Sequence, residues 1–405
     1  MISAAPSGSG AVAWDAAREL AASVVRPLGD EQVPLSRAVD RITAREVHAL
    51  QPIPHYASSA MDGWAVSGKP PWAVMPSAVE LLGHGSAVAI ATGGLIPPGA
   101  DAVVRSEHAS VAHGRLSPDS GRHAPIAGAD IRPTGEEAAA GEVLIAVGTR
   151  LNPAHIAVAA ACGYDSVTVT LTPRVALLLT GDEVDGSGVP AAGRVRDSFG
   201  PVIPSLIQLL GGSVVSAGRV ADRLDATVAS LESATGVELV VTTGGTGGSA
   251  GDHVREALVA LGAEIIIPRL SIRPGGPTLL ARLPDGRLVA GLPGNPLAAI
   301  TGLLVTVAPA LAVWTGRGLP PLVDVVTAQA IPGRAHSTLM IPFRHVVEGV
   351  VPSSWVGAGM MRGLADSSGL LVVPPTGLAA HGHGRAIPLP WAGQEGPAQV
   401  SPSTT

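Results

Sequence analysis

Strand-like and helix-like segments alternate between Arg174 and Trp314, and this alternation constrains the fold more than any other feature of the chain. Apolar runs rich in Val and Leu recur between segments whose apolar residues have helical spacing. This order is typical of an α/β fold with a doubly wound, mostly parallel sheet and helices on both faces. Ligands of such folds bind at the carboxyl ends of the strands. The sequence therefore predicts the fold class and also the edge of the sheet where a site should lie.

Two glycine-rich turns occur in this part of the chain, at Thr242–Asp252 (TTGGTGGSAGD) and at Gly291–Pro296 (GLPGNP). Each follows an apolar strand-like run and leads into a helix-like segment. Glycine lets the backbone approach a ligand closely, and free N–H groups at a helix N-terminus favour an anion. The turns match neither the dinucleotide-binding fingerprint nor the Walker A loop. Together with the acidic segment Thr180–Glu183 (TGDE), they predict a phosphate site at one edge of the sheet.

The composition excludes several classes of function. The formal net charge is −6 and there is no long run of Lys or Arg, so we expect no nucleic-acid partner. Six Trp, two Tyr and two Phe in 405 residues leave few side chains for base stacking. The single cysteine, Cys162, excludes a disulfide framework and a cysteine metal site. It agrees with a cytoplasmic location.

The segment Pro296–Trp314 is apolar and almost long enough to cross a bilayer. Gly302 and Pro309 interrupt it, and it directly follows one of the glycine turns. We therefore predict a helix buried against the sheet and no membrane partner. The first residues also lack the basic and apolar regions of a secretory signal.

The N-terminal part of the chain combines helix-like and strand-like patterns. Ala13–Val25 and Leu35–Val47 have apolar residues at helical spacing, which predicts two helices. Short strand-like runs begin at Pro52 and predict a small β domain. A further helix is predicted after Asn152, which can cap it, with Pro153 in its first position.

The chain resembles the molybdopterin molybdenumtransferases, the MoeA-type proteins related to the gephyrin E domain, from about residue 11 to about residue 375. The resemblance rests on a series of motifs that occur in one order. They are SAMDGWAV (59–66), ATGGLIPPGADAVVRSE (91–107), DIRPTGEE (130–137), PRVALLLTGDEV (173–184), RVRDSFGP (194–201), VVTTGGTGGSAGD (240–252), RLSIRPGGP (269–277) and GLPGNPLAA (291–299).

The resemblance implies four domains and a homodimer. The expected domains are a helical and mixed domain I (11–50 and 143–172), a small β domain II (51–142), an α/β molybdopterin-binding domain III (173–318) and a β domain IV (319–392), followed by a disordered tail (393–405). In the family, the α/β domain of one subunit faces the small β domain of the other across the active site. The implied reaction inserts molybdate into adenylylated molybdopterin and releases AMP, with Mg²⁺ assisting. A molybdopterin adenylyltransferase is a further expected partner.

The resemblance and the chemistry of the side chains together give the candidate site residues. Carboxylates beside phosphates can ligate Mg²⁺ or accept a proton from an attacking oxygen. We predict catalytic roles for Asp62, Asp182, Glu183 and Asp252, with metal ligation by Glu183, Asp222 and Asp252. The predicted substrate-binding residues are Thr92, Glu137, Asp197, Ser198, Gly244, Gly245, Gly248, Ser249, Arg269, Arg273, Pro293, Gly294, Asn295 and Pro296.

Some motif positions depart from the family pattern. Arg269 and Arg273 lie in a segment that usually carries Lys, and Gly276 replaces a second Lys, which removes a cation. Phe199 replaces an Asn of the family's DSN motif and so removes an amide. Two other functions therefore stay open: a non-catalytic molybdopterin-binding or scaffold paralogue, and a related activity such as adenylyl transfer or insertion of tungsten.

Overall fold

The computed structural model describes residues 10–76, 79–247 and 253–392. These residues form two compact units. The larger unit contains the described residues up to Glu31 and from Thr170 onward, and the smaller unit contains those between Gln32 and Val169. The finer division into four domains stays a prediction.

The helices and strands follow one another along the whole described chain. The helices are α1 (Trp14–Ser23), α2 (Pro153–Ala161), α3 (Ile203–Leu209), α4 (Leu224–Ser233), α5 (His253–Ala260), α6 (Pro296–Trp314) and α7 (Arg362–Ala365). The strands as far as Thr170 are β1 (Asp30–Pro34), β2 (Val47–His48), β3 (Ser58–Ser59), β4 (Gly63–Val66), β5 (Trp72–Val74), β6 (Ser86–Ile90), β7 (Ala102–Arg105), β8 (Ala109–Ala112), β9 (Arg115–Pro118), β10 (Ile131–Arg132), β11 (Val143–Ile145) and β12 (Ser166–Thr170). The later strands are β13 (Arg174–Leu179), β14 (Val184–Asp185), β15 (Val195–Arg196), β16 (Ser213–Arg219), β17 (Leu239–Thr243), β18 (Glu264–Ile267), β19 (Ile272–Arg273), β20 (Leu279–Arg282), β21 (Leu288–Leu292), β22 (Val323–Val326), β23 (Thr338–Val346), β24 (Gly349–Pro352), β25 (Gly369–Val373) and β26 (His383–Pro388).

The central sheet of the larger unit has the strand order β16-β13-β17-β21-β20-β18. Its first four strands are parallel. Strand β20 is antiparallel to β21, and β18 is antiparallel to β20. The predicted fold class, a mostly parallel α/β sheet, is confirmed.

Helices cover both faces of this sheet. Because successive side chains of a strand point to opposite faces, Val175 and Leu177 of β13 pack in one core with residues of α1, α3 and α6. Ala176 of the same strand packs in a second core with residues of α4 and α5. The central strands are buried on both sides, which explains why they are almost continuously apolar.

Helix α6 is apolar all round and buried along nearly its whole length. By length and composition it qualifies as a membrane span, but 94% of its most apolar stretch is buried within the protein. The hydroxyl groups of Thr301 and Thr306 donate to the carbonyls of Leu297 and Gly302 one turn earlier, so the buried helix satisfies them internally. The prediction of a buried core helix is confirmed.

A second sheet of the larger unit packs against the same helix. Its order is β19-β23-β25-β26-β22, with β24 paired to β23. Met340, Leu370 and Ile387 on one face join the core that contains α6. Phe343 and its neighbours on the other face form a separate small core.

The smaller unit contains a six-stranded sheet of order β7-β4-β6-β5-β9-β8 with Trp72 in its core. Helix α2 begins as predicted: the Asn152 side chain accepts the His155 N–H at 2.9 Å, and Pro153 follows the cap. Cys162 ends this helix and is buried. Burial raises the pKa of its thiol.

The predicted helix at Leu35–Val47 is wrong. Only Leu35–Arg37 is helical, as a single 3₁₀ turn, and Asp40 has a φ of 65°, which ends any right-handed helix. The N–H groups of Asp40 and Thr43 donate instead to the carbonyls of Leu151 and Thr149. The helical spacing of apolar residues is real, but pairing with a distant segment determines the backbone here.

Gly302 lets α6 pack closely against the loop before β20, because a Cβ at this position would overlap the buried Thr278 hydroxyl. We expect Gly302→Ala to lower the free energy of unfolding by about 1–3 kcal/mol through overpacking. Gly218→Ala is the control, because a Cβ there meets no atom within 4 Å. Its effect should lie within about 1 kcal/mol of zero. Urea unfolding measures both, and an equal loss in the two variants would contradict the packing.

Candidate active site

Three turns meet at the carboxyl ends of β13, β17 and β21, and together they line a cleft of about 850 Å³ in the larger unit. They are the TGDE turn, the TTGG turn and the GLPGNP turn predicted from the sequence. Their meeting follows from the parallel register, in which Leu179, Thr243 and Leu292 end neighbouring strands. The cleft therefore lies at the predicted edge of the sheet.

The TTGG turn continues β17. Gly244 and Gly245 both have positive φ angles, 85° and 66°, which favour glycine. The N–H of Gly244 donates to the carbonyl of Leu292 at 2.9 Å and so joins this turn to the next one. Within the described chain no acceptor occupies the N–H of Gly245, which is thus available to a ligand. Gly248, Ser249 and Asp252 lie outside the described residues.

The GLPGNP turn leads directly into α6, and Pro293, Gly294, Asn295 and Pro296 all line the cleft. Asn295 is the N-cap residue, but its side chain makes no capping hydrogen bond. The carbonyl of Ala358, in the loop before α7, accepts the N–H of Ala298 at 3.2 Å. Within the described chain no acceptor occupies the N–H of Asn295, which precedes this 19-residue helix. The helix end also brings its partial positive charge to the cleft.

The TGDE turn carries two carboxylates, Asp182 and Glu183, and a third, Asp222, bonds to the backbone of the turn. The carboxylate of Asp222 accepts the N–H groups of Gly181 and Asp182 at 3.1 and 3.0 Å. The carboxylate of Asp182 accepts the N–H of Asp222 at 3.4 Å. Asp182 is not among the residues that line the cleft. Glu183 lines the cleft, and its carboxylate has no partner in the described chain. Among the described carboxylates that line the cleft, Glu183 is thus the most available to a ligand.

Asp197 and Ser198 also line the cleft, but the Asp197 carboxylate is saturated by protein donors. It accepts the N–H groups of Phe199 and Gly200, each at 2.9 Å, and lies 2.9 Å from the Arg219 guanidinium. Burial by itself would raise the pKa of Asp197. The two N–H groups and Arg219 outweigh burial, and the pKa of this carboxyl lies below its ordinary value.

The predicted residues Arg269 and Arg273 are exposed and are not among those that line the cleft. Arg273 is in the short strand β19, which pairs with β23. Whether they bind substrate stays a prediction.

Three further predicted site residues belong to the smaller unit. Asp62 and Thr92 are brought together: one oxygen of Asp62 accepts the Thr92 N–H at 2.7 Å and its hydroxyl at 2.9 Å. The N–H of Thr92, and then its hydroxyl, lower the pKa of Asp62. Glu137 follows the turn at Gly135 and donates its N–H to the carbonyl of Ile53 at 2.8 Å.

Sequence reasoning missed two arginines of the cleft, Arg196 and Arg219. Arg196 lies at the end of β15 and Arg219 at the end of β16, and neither is in one of the two glycine-rich turns. The predicted parallel sheet offered one usable signal, because the last residue of a parallel strand lies at the ligand edge.

Among the described residues, no group of three His, Cys, Asp or Glu side chains could hold a metal ion by itself. Mg²⁺, however, usually takes one or two carboxylates together with water and substrate phosphates. The open carboxylate of Glu183 fits an ion shared in this way. Asp222 is the less favourable ligand, because both of its oxygens already accept N–H groups.

Comparison with known proteins identifies two matching regions. Residues 12–163 match the family model for the MoeA N-terminal region (domains I and II), and residues 176–313 match that of a probable molybdopterin binding domain. A molybdopterin molybdenumtransferase of Staphylococcus aureus (strain MSSA476) is 30% identical over 84% of this chain and 86% of that protein. That of Synechococcus elongatus is 33% identical over 71% of this chain and 76% of that protein. That of Bacillus subtilis is 29% identical over 88% of this chain and 88% of that protein.

A solved structure supports the fold. The molybdopterin biosynthesis moeA protein from Pyrococcus horikosii has a TM-score of 0.76, with 24% sequence identity, and covers 94% of this chain and 99% of its own.

The saturated carboxylate of Asp197 predicts a pH-dependent contribution to stability. Because its folded-state pKa is lowered, the stabilisation is present above the unfolded pKa of about 3.9 and is lost as pH falls through the folded-state pKa. We expect Asp197→Asn to lower the free energy of unfolding by about 1–3 kcal/mol at pH 7, with a smaller difference below about pH 4.

Asp225→Asn is the matched control, since Asp225 also pairs with an arginine, Arg223, but at an exposed position. It should lower the free energy of unfolding less than Asp197→Asn does, because an exposed ion pair is screened by solvent. Urea unfolding across the pH range checks both variants. A loss for Asp197→Asn that stays constant down to pH 3 would contradict this assignment.

Proposed function

The chain belongs to the molybdopterin molybdenumtransferase family, and from this premise we propose that it inserts molybdate into adenylylated molybdopterin and releases AMP. The reaction belongs to the biosynthesis of the molybdenum cofactor. The observation that carries the proposal is the cleft, in which available backbone donors and one open carboxylate meet at the end of a parallel sheet.

Backbone donors account for binding of the phosphates. The N–H groups of Gly245 and Asn295 come from two turns that lie side by side, since a Cβ at Gly294 would be 3.7 Å from the Cα of Gly244. A phosphoanhydride carries its charge on several adjacent oxygens, so donors from two turns can bind it better than one. The N-terminus of α6 adds favourable electrostatic potential at the same place.

Glu183 accounts for proton transfer. Breaking the anhydride to AMP requires attack by an oxygen, from water or from molybdate, at phosphorus, and the attacking group gives up a proton if it carries one. The Glu183 carboxylate is open to the cleft and can accept that proton. If Mg²⁺ binds, Glu183 and the substrate phosphates would hold it, and it would neutralise charge on the phosphate oxygens. Direct participation of Asp182 and Asp252 stays a prediction.

The remaining expectations about partners and location also stay proposals. They are a homodimer, a contact with a molybdopterin adenylyltransferase and a cytoplasmic location. The first two rest on family membership, and the third agrees with the single buried cysteine. Analytical ultracentrifugation tests the dimer, and a monomer at micromolar concentration would contradict it.

The reaction is tested with purified protein, adenylylated molybdopterin, molybdate and Mg²⁺, by following AMP release. We expect molybdate-dependent release of AMP, and a decrease in kcat of about 100-fold in Glu183→Gln because the proton acceptor is lost. The Mg²⁺ concentration for half-maximal activity should also rise. Glu264→Gln is the control, because Glu264 forms an exposed ion pair with Arg282.

Two outcomes would contradict the proposal. Tight binding of adenylylated molybdopterin without AMP release would mean that the protein is a non-catalytic binding paralogue. Equal activity of Glu183→Gln and Glu264→Gln would remove Glu183 from the mechanism. Replacing molybdate with tungstate in the same assay determines which oxyanion is preferred.

A further inference from the structure

Arg196 and Arg219 are the basic side chains that line the cleft in the described chain. The acidic side chains there are Glu183, Asp197 and Asp222. Two of these acids are engaged internally, Asp222 by N–H groups and Asp197 by N–H groups and Arg219. The charged side chains left to interact with a ligand are therefore Glu183, Arg196 and the remaining donors of Arg219.

Both guanidinium groups contact one residue, Asp197. One terminal nitrogen of Arg219 lies 2.9 Å from the Asp197 carboxylate. Arg196 donates to the backbone carbonyls of Asp197 and Asp185 at 3.3 and 3.2 Å. Asp197 is itself fixed by the N–H groups of Phe199 and Gly200. Both guanidinium groups thus contact Asp197, whose carboxylate is itself bonded to two backbone N–H groups.

Each guanidinium retains donors for a ligand. A guanidinium has five N–H donors in a planar fork, and the Asp197 carboxylate is bonded to only some of the N–H donors of Arg219. The Arg219 side chain is 37% exposed and lies at the cleft. A planar fork that is already oriented binds a tetrahedral oxyanion well, because two parallel hydrogen bonds can form with little loss of side-chain freedom.

We propose that Arg219, oriented by Asp197 and assisted by Arg196, binds a tetrahedral oxyanion of the substrates in this cleft. The inference rests on the proposed function, and it places cations for the substrates at the ends of β15 and β16. Binding by Arg269 and Arg273 stays a separate prediction. Both molybdate and the phosphates of adenylylated molybdopterin have the required chemistry. Asp197 is a positioning residue in this assignment, because it acts through Arg219.

The test measures KM for molybdate and for adenylylated molybdopterin separately in Arg219→Gln and Arg219→Lys. Calorimetric titrations with sodium molybdate alone and with AMP alone accompany the kinetics. We expect Arg219→Gln to raise one of the two KM values by about 10- to 100-fold with a smaller change in kcat, since a charged hydrogen bond to the ligand is lost. The KM that rises identifies the oxyanion. Arg219→Lys should recover only part of the loss, because it keeps the charge but not the fork.

Arg174→Gln is the matched control. Arg174 also forms an ion pair with a carboxylate, Glu238, at 3.0 Å, but at the opposite end of the same sheet. Its KM values should equal those of the wild type. The thermal unfolding midpoint of each variant is measured in parallel, so that a loss of folding is not mistaken for a loss of binding.

A double-mutant cycle tests the role of Asp197. Asp197→Asn should raise the same KM as Arg219→Gln, and the double variant should be little worse than Arg219→Gln alone. Additive effects would show that Asp197 does not act through Arg219.

Unchanged KM values in Arg219→Gln, with wild-type turnover intact, would overturn this inference and leave the proposed function standing. Absence of AMP release by the wild type would contradict the proposed function instead. In that case the titrations with molybdate and AMP still test Arg219, and equal dissociation constants for wild type and Arg219→Gln would overturn the inference.

Discussion

The larger unit depends on the burial of one helix, α6. Its residues are apolar on every side, so a single packed face would leave much of its apolar surface in water. The central sheet with α1 and α3 covers part of the helix, and the second sheet covers another part. Its position fixes where its N-terminus lies, and the cleft is built around that end. The packing of an apolar core thus determines the position of a polar site.

The polar groups around the cleft divide into those that hold the protein together and those left for a ligand. Asp222 satisfies the N–H groups of the TGDE turn, and Asp197 satisfies those of the segment before α3. Buried backbone donors without partners would destabilise the fold, so these two acids stabilise the protein even without a substrate. Glu183, the N–H of Gly245 and the arginines remain available. This division explains why neighbouring acids in one motif need not share one role.

The sequence alone predicted the elements whose pattern is local. Alternating strands and helices predicted the α/β sheet, glycine turns predicted the edge that carries the cleft, and Asn152 with Pro153 predicted the start of α2. The failure at Leu35–Val47 has a non-local cause, since its N–H groups pair with carbonyls more than one hundred residues away. Arg219 was missed for a similar reason. Its position at the cleft comes from the strand order, and its orientation comes from Asp197. Neither can be read from the residues next to Arg219 in the sequence.

The most direct test of the account is a crystal structure of the protein soaked with AMP and sodium molybdate, with molybdenum located by its anomalous scattering. We expect the AMP phosphate to lie within hydrogen-bonding distance of the N–H groups of Gly245 and Asn295, in the cleft at the carboxyl ends of β13, β17 and β21. Nucleotide bound elsewhere, for example in the cavity of about 270 Å³ beside Trp14 and Arg385, with the cleft empty, would contradict it.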